Sequence, residues 1–163
     1  MDNFENIKKT ALRLLSFRPR SEQELRGRLR LKSFSDEDVN KVILYLQKEK
    51  MLDDEKFAKL LALSSIQSGG FGKNHVRREL TKKGLAPAQI SSAMKEIEGI
   101  DELQCARELA QKHFSRMRGL TAIAQRRRLH GVLFRRGFTN EVVFKALDQV
   151  LKGRAPGEFN EGF

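Results

Sequence analysis

The sequence predicts an all-α fold: three tandem three-helix repeats forming an elongated, curved helical array. Three observations predict it. Apolar residues recur at helical spacing, and no run of β-branched residues alternates with polar ones. Only three prolines interrupt 163 residues. One apolar pattern also returns twice without a gap. Leu25, Leu29, Val39, Val42, Ile43 and Leu46 superpose on Val76, Leu80, Ile90, Ala93, Met94 and Ile97 at an offset of 51. A further 53 brings in Leu129, Leu133, Val143, Ala146, Leu147 and Val150. Such a period marks stacked units, each too small to close a core alone.

The elements follow in order. Ile7, Ala11, Leu14 and Leu15 make a stripe that stops at Pro19. Ser21-Glu-Gln-Glu24 reads as a capping box, whose hydroxyl and carboxylate satisfy free backbone N–H groups reciprocally; Leu25 and Leu29 follow it. Ser35-Asp-Glu-Asp38 opens the third helix, and Asp53-Asp-Glu55 caps a fourth that carries Phe57, Leu60, Leu61 and Ile66. Val76 and Leu80 mark the fifth, and Pro87, one residue after Ala86, suits the first position of the sixth. Ala106, Leu109, Ala110 and Phe114 mark the seventh. Leu129 and Leu133 lie in an eighth read over Gln125–Gly137, and Thr139-Asn-Glu starts the ninth. Gly84 and Gly137 stand where a helix ends in a left-handed residue, and Ser33 holds the same place in the first copy. The repeats are expected at 1–50, 51–99 and 100–152. The aperiodic segment 153–163 is expected to be a disordered tail.

Composition narrows the function. With 39% hydrophobic and 33% charged residues and a mean hydropathy of −0.53, the core is thin and the wetted surface large. No apolar run approaches the roughly 18–20 residues of a membrane helix, and the first residues have neither the basic leader nor the apolar centre of a signal peptide. A cytoplasmic protein is expected. The single cysteine, Cys105, forms no internal disulfide and anchors no zinc site alone. Thirty-two Lys and Arg against 21 Asp and Glu leave a formal charge of +11, which favours a polyanionic partner.

That excess is localised. The middle segments Ser21–Lys32, Gly72–Gly84 and Gln125–Gly137 carry Arg26, Arg28, Arg30 and Lys32, then Lys73, Arg77, Arg78, Lys82 and Lys83, then Arg126, Arg127, Arg128, Arg135 and Arg136. Against these 14 bases stand Glu22, Glu24 and Glu79, and the other residues balance at 18 bases and 18 acids. Cations in a last helical turn favour the negative end of the helix dipole, which accounts for Lys32, Lys82, Lys83, Arg135 and Arg136. It does not account for Arg26, Lys73, Arg77 or Arg126–Arg128, which lie in first or middle turns. A phosphate-tracking surface formed by equivalent helices does.

Enzymatic chemistry finds no footing. Ser68-Gly-Gly-Phe-Gly-Lys73 suggests a phosphate-binding loop, but the pattern would put Gln67 at its first glycine and Asn74 at its magnesium-binding hydroxyl. The preceding segment is also helical instead of a strand. His75, His113 and His130 have neither i,i+4 partners nor a nearby cysteine. No metal, cofactor or catalytic residue is expected. With one tyrosine and no tryptophan, base stacking depends on phenylalanines that mostly fall at core positions, Phe71 being the exception.

Four stretches together carry a family likeness: Arg18-Pro-Arg-Ser-Glu-Gln-Glu-Leu-Arg-Gly-Arg-Leu29, Leu52-Asp-Asp-Glu-Lys-Phe-Ala58, Gly72-Lys-Asn-His-Val-Arg-Arg-Glu-Leu-Thr-Lys-Lys-Gly-Leu85 and Leu133-Phe-Arg-Arg-Gly-Phe138. From about residue 8 to 152 the chain resembles the RecX family of bacterial recombination regulators. The departures are Ser33, where the later copies have glycine, and the unmatched tail. The resemblance implies three tandem three-helix repeats and a non-enzymatic modulator of RecA. Such a protein binds RecA and its filament on single-stranded DNA and suppresses ATPase, strand-exchange and co-protease activities. The implied partners are RecA, its filament, single-stranded DNA and secondarily duplex DNA, with no membrane, and the chain is expected to act as a monomer. Arg77, Arg78, Lys82 and Lys83 head the contact candidates. Arg26, Arg28, Lys32, Lys73, Arg126, Arg127, Arg128, Arg135 and Arg136 extend the track. A helix-turn-helix DNA-binding regulator and a protein-only helical adaptor stay open as alternatives.

Overall fold

A computed structural model describes residues 3–152. Among these residues the elements are nine α-helices: α1 (Asn3–Phe17), α2 (Glu22–Arg30), α3 (Asp36–Lys48), α4 (Asp54–Gln67), α5 (Lys73–Lys82), α6 (Pro87–Glu96), α7 (Glu102–Phe114), α8 (Ala122–Arg135) and α9 (Asn140–Leu151). The expected tail, 153–163, lies outside the described residues.

Local chemistry sets the helix ends. Ser35 Oγ accepts from the Asp38 N–H at 3.1 Å, and Thr139 Oγ1 from the Val142 N–H at 3.4 Å. Asp53 accepts from the Lys56 N–H at 2.9 Å, and the Ala86 N–H donates to the Gln89 side chain at 2.8 Å. α8 begins three residues earlier than the sequence pattern places it. Thr121 accepts from the Ala124 N–H, which moves Gln125 into the second turn, where it is buried and donates to the Met117 carbonyl at 3.0 Å. The C-terminal signals recur. Ser33, Gly84 and Gly137, equivalent in the three copies, have φ of 62°, 74° and 83°. The serine adopts the left-handed conformation that the glycines take without steric cost.

The chain divides into two compact units. One takes the chain up to Leu63 together with Arg77–Glu98; the other takes Ser64–Val76 and the chain from Gly99 on. In the first, Ile7 and Ala11 of α1 meet Leu25 and Leu29 of α2 and Val39, Val42, Ile43 and Leu46 of α3. In the second, Ala106 and Ala110 of α7 meet Leu129 and Leu133 of α8 and Val143, Ala146 and Leu147 of α9. Every repeated apolar position is buried except Met94 and Val150, which are half-buried. Burying each Leu or Ile contributes about 1.5–3 kcal/mol, so these stripes hold the middle helices in place. α4 departs from its expected pattern: Leu60 is 51% exposed, and Phe57, Ala58, Ala62 and Ile66 form the buried set instead. Small alanines take the inward positions there.

Candidate functional site

The first two middle helices, α2 and α5, are positioned by one repeated device. At the head of α2, Ser21 Oγ accepts from the Glu24 N–H at 3.2 Å and donates to the Lys83 carbonyl at 2.6 Å. The neighbouring Glu22 N–H donates to Asp54 Oδ1, on the first residue of α4, at 2.8 Å. At the head of α5 the Gly72 N–H donates to the Arg136 carbonyl at 2.8 Å, and the Lys73 N–H donates to Glu102 Oε1, on the first residue of α7, at 2.8 Å. Each helix therefore starts against the end of the next middle helix, and a carboxylate from the next repeat's first helix satisfies one of its free N–H groups. Burial pushes the Asp54 carboxyl up, the hydrogen bond from the Glu22 N–H draws it down, and the charges of Glu22 and Asp53 push it up again.

The reciprocal half of the predicted capping box at Ser21 is replaced. The Glu24 carboxylate is bonded instead to Arg18 at 2.7 Å and Lys83 Nζ at 3.0 Å. Burial alone would raise this carboxyl, but the hydrogen bonds and charges of Arg18 and Lys83 outweigh it and bring it down to about 2.

With Leu25 and Leu29 held inward, Arg28 and Lys32 are exposed. On α5, Val76 and Leu80 are buried, so Arg77, Arg78 and Lys82 are exposed, with Arg78 and Lys82 one turn apart. On α8, Leu129 and Leu133 turn inward and Arg127, Arg128 and Arg135 face solvent. None of these eight is ion-paired among the described residues. The other candidates are engaged. Arg26 donates to Glu22 at 2.7 Å and to Asn40, and Arg126 pairs with Asp148 at 3.2 Å. Lys83 pairs with Glu24 as above, and Lys73 is half-buried. Arg136 donates to the Gly69 carbonyl and lies 4.6 Å over the Phe71 ring.

The glycine loop has a packing role. A Cβ on Gly72 would lie 2.4 Å from the Gly137 carbonyl oxygen, and the Gly72 N–H is already bonded. Phe71, the sequence's exception for stacking, has its ring stacked on His75 at 3.9 Å and covered by Arg136, so it is a packing anchor. The other phenylalanines, expected mostly at core positions, divide: Phe4, Phe34 and Phe114 pack against the cores. Phe138 and Phe57 are buried, Phe17 is 76% exposed at the end of α1, and Phe134 at 55% and Phe144 at 49% are both exposed beside His130. The signal was present in the superposition of the repeats, where both fall beside the repeated apolar positions instead of on them. Cys105 is half-buried, and burial, then the charges of Glu108, Asp101 and Glu102, push its thiol up. Burial and the charges of Arg116, Arg136 and Lys112 push His113 down. No group of three or more His, Cys, Asp or Glu that could hold a metal occurs among the described residues. Nor is any helix there long and apolar enough to cross a membrane.

Comparison with known proteins follows this architecture. Three family models match in succession: RecX first three-helix domain over residues 8–46, second over 53–94 and third over 100–147. The chain belongs to the RecX family. On the RecX scheme α2, α5 and α8 are the middle helices of the first, second and third domains. Regulatory protein RecX of Mycolicibacterium smegmatis is 32% identical over 144 residues, covering 86% of this chain and 77% of the relative. Its counterpart in Streptomyces lividans is 28% identical over 151 residues, covering 93% and 80%. The crystal structure of RecX from Lactobacillus salivarius shares the fold, with a TM-score of 0.74 over 91% of this chain and 97% of that one at 17% identity. The RecX family is one of regulatory proteins.

Proposed function

We propose that this RecX-family chain is a non-enzymatic regulator of homologous recombination and DNA repair. It binds RecA and RecA filaments on single-stranded DNA and inhibits their ATPase, strand-exchange and co-protease activities, acting in the cytoplasm. The observation that carries the reading is the set of eight exposed, unpaired cations on α2, at its end and on α5 and α8, in a chain matched by all three RecX domain models. A charge excess confined to middle helices is what a polyanionic partner needs: phosphates exchange their counterions for fixed arginines and lysines. Arg28, Lys32, Arg77, Arg78, Lys82, Arg127, Arg128 and Arg135 are the proposed contacts. Lys83, Arg126, Arg26 and Arg136 contribute charge while holding neighbouring helices.

RecA's DNA-dependent ATP turnover, measured with increasing amounts of this protein, should fall. Unchanged turnover at saturating protein would overturn the reading. Reversing Arg77 and Arg78 to Glu should weaken single-strand binding and lower its salt slope by about 0.7 for each phosphate no longer neutralised. An unchanged slope would remove both residues from the strand-binding surface.

A further inference from the structure

The third repeat departs from the other two at three surface positions. His130 stands where the earlier copies have Arg26 and Arg77, Phe134 where they have Arg30 and Thr81, and Phe144 where they have Asn40 and Ser91. The scaffold is built twice with polar side chains at these places, so packing does not require aromatic ones. Phe134 and Phe144 nonetheless leave about half their surface in water. They gather around one imidazole: His130 and Phe134 are nearly parallel (10°) with centroids 6.1 Å apart, and His130 and Phe144 are 5.7 Å apart. On α8 the seven-residue spacing from Arg127 to Phe134 puts a free guanidinium on the same side. The nearby carboxylates are already occupied, Asp148 by Arg126 at 3.2 Å and Glu141 by Lys145 at 2.6 Å.

We propose that His130, Phe134 and Phe144 form a base-stacking platform for single-stranded nucleic acid, with Arg127 holding the adjoining phosphate. Exposed aromatic faces interleaved with cations bind single strands of any sequence, because every base has a π-face. A duplex offers no unstacked base, so the platform discriminates between the two forms. The inference deepens the proposed single-strand contact and rests on that reading.

The test uses fluorescence anisotropy of the full chain with a labelled thymidine oligomer, an abasic strand of the same length, and a duplex. Phe134→Leu keeps apolar area but removes the π-face, and Phe134→Tyr keeps the π-face. Far-UV circular dichroism confirms that each variant is folded. The leucine variant should bind the thymidine strand roughly tenfold more weakly, with the tyrosine variant close to wild type. Binding to the abasic strand and to the duplex should be unmoved by either change. Wild-type affinity in the leucine variant, or equal losses on intact and abasic strands, would overturn the platform. If wild type inhibits RecA turnover while the leucine variant keeps full strand affinity, the platform fails and the regulatory reading stands. If wild type neither binds strands nor inhibits, both fail.

Discussion

Ser21 and Gly72 occupy equivalent places at the heads of α2 and α5, yet one is a capping side chain and the other has no side chain. In the first unit the Ser21 hydroxyl stands between the two backbones and carries the bond to the Lys83 carbonyl. In the second, the Gly72 N–H makes the corresponding bond to Arg136 directly. Each equivalent cation then turns to what its junction offers. Lys83 finds the Glu24 carboxylate, shared with Arg18. Arg136 finds the Gly69 carbonyl and the Phe71 face, where a planar guanidinium is suited to both hydrogen bonding and stacking. One junction is held by charge and a hydroxyl, the other by close backbone approach. A repeat keeps the position of a contact more strictly than its chemistry.

The largest test of this contrast is a pair of alanines at equivalent glycines. On Gly137 a Cβ would lie 2.5 Å from the His75 backbone nitrogen, and φ is 83°. Backbone cannot swing aside, so Gly137→Ala should cost about 3 kcal/mol or more. On Gly84, where φ is 74°, the Cβ would meet the side chain of exposed Gln23. The amide can turn away, but the Gln23 Cβ, 2.8 Å off, is fixed to the backbone of α2. Gly84→Ala should then cost its left-handed strain, about 1–2 kcal/mol, plus a small shift at Gln23, and less than Gly137→Ala, where the Cβ presses on the backbone itself. Urea unfolding of both variants gives the comparison directly; equal losses would break it.

A second test uses pH, because only in the first junction is the equivalent cation paired with a carboxylate, Lys83 with Glu24, whereas Arg136 bonds a carbonyl. The Glu24 carboxyl is at about 2 in the folded chain against 4.5 as its ordinary value. A depressed acid contributes stability that is full above 4.5 and is lost as pH falls from there toward 2. The contribution is on the order of 1–2 kcal/mol, because Arg18 is 43% exposed and screened. Glu24→Gln should lower stability at neutral pH and flatten the acid limb of the stability profile. Arg136→Gln, which loses a bond to a carbonyl, should lower stability by a similar amount at pH 5 and pH 3. An unchanged acid limb in the glutamine variant of Glu24 would remove the charge from the account.

The contrast also explains what the sequence could reveal. Apolar period gave the nine helices, because burial at Leu25, Val76 and Leu129 is a one-dimensional constraint repeated along the chain. Caps at Ser35 and Thr139 were legible because the bonded atoms lie within three residues. Asp54 reaching Glu22 and Glu102 reaching Lys73 were not legible: each joins groups roughly 30 residues apart, and a carboxylate in a first turn looks the same whether it faces water or another helix. The cations show the same limit. Composition located the charge on α2, α5 and α8, but Arg77 and Lys83 look alike in sequence, and only packing shows that one is exposed and the other paired. Charge alone also hid Phe134 and Phe144, whose exposure depends on where each helix turns.

The smallest effect concerns Ser33, the third member of the series formed with Gly84 and Gly137. Its φ of 62° carries left-handed strain that the two glycines avoid, and the residue is exposed. Ser33→Gly should recover about 1–2 kcal/mol of that strain and give back about 0.4–1 kcal/mol through the freer unfolded chain. The net is a stabilisation of roughly 0.8 kcal/mol, a small rise in unfolding midpoint. The sign matters more than the size, because Gly84→Ala and Ser33→Gly probe the same backbone turn from opposite sides. If the glycine destabilised, conformational strain would not be what orders the three positions, and the larger loss expected at Gly137 would have to come entirely from its contact with the His75 backbone.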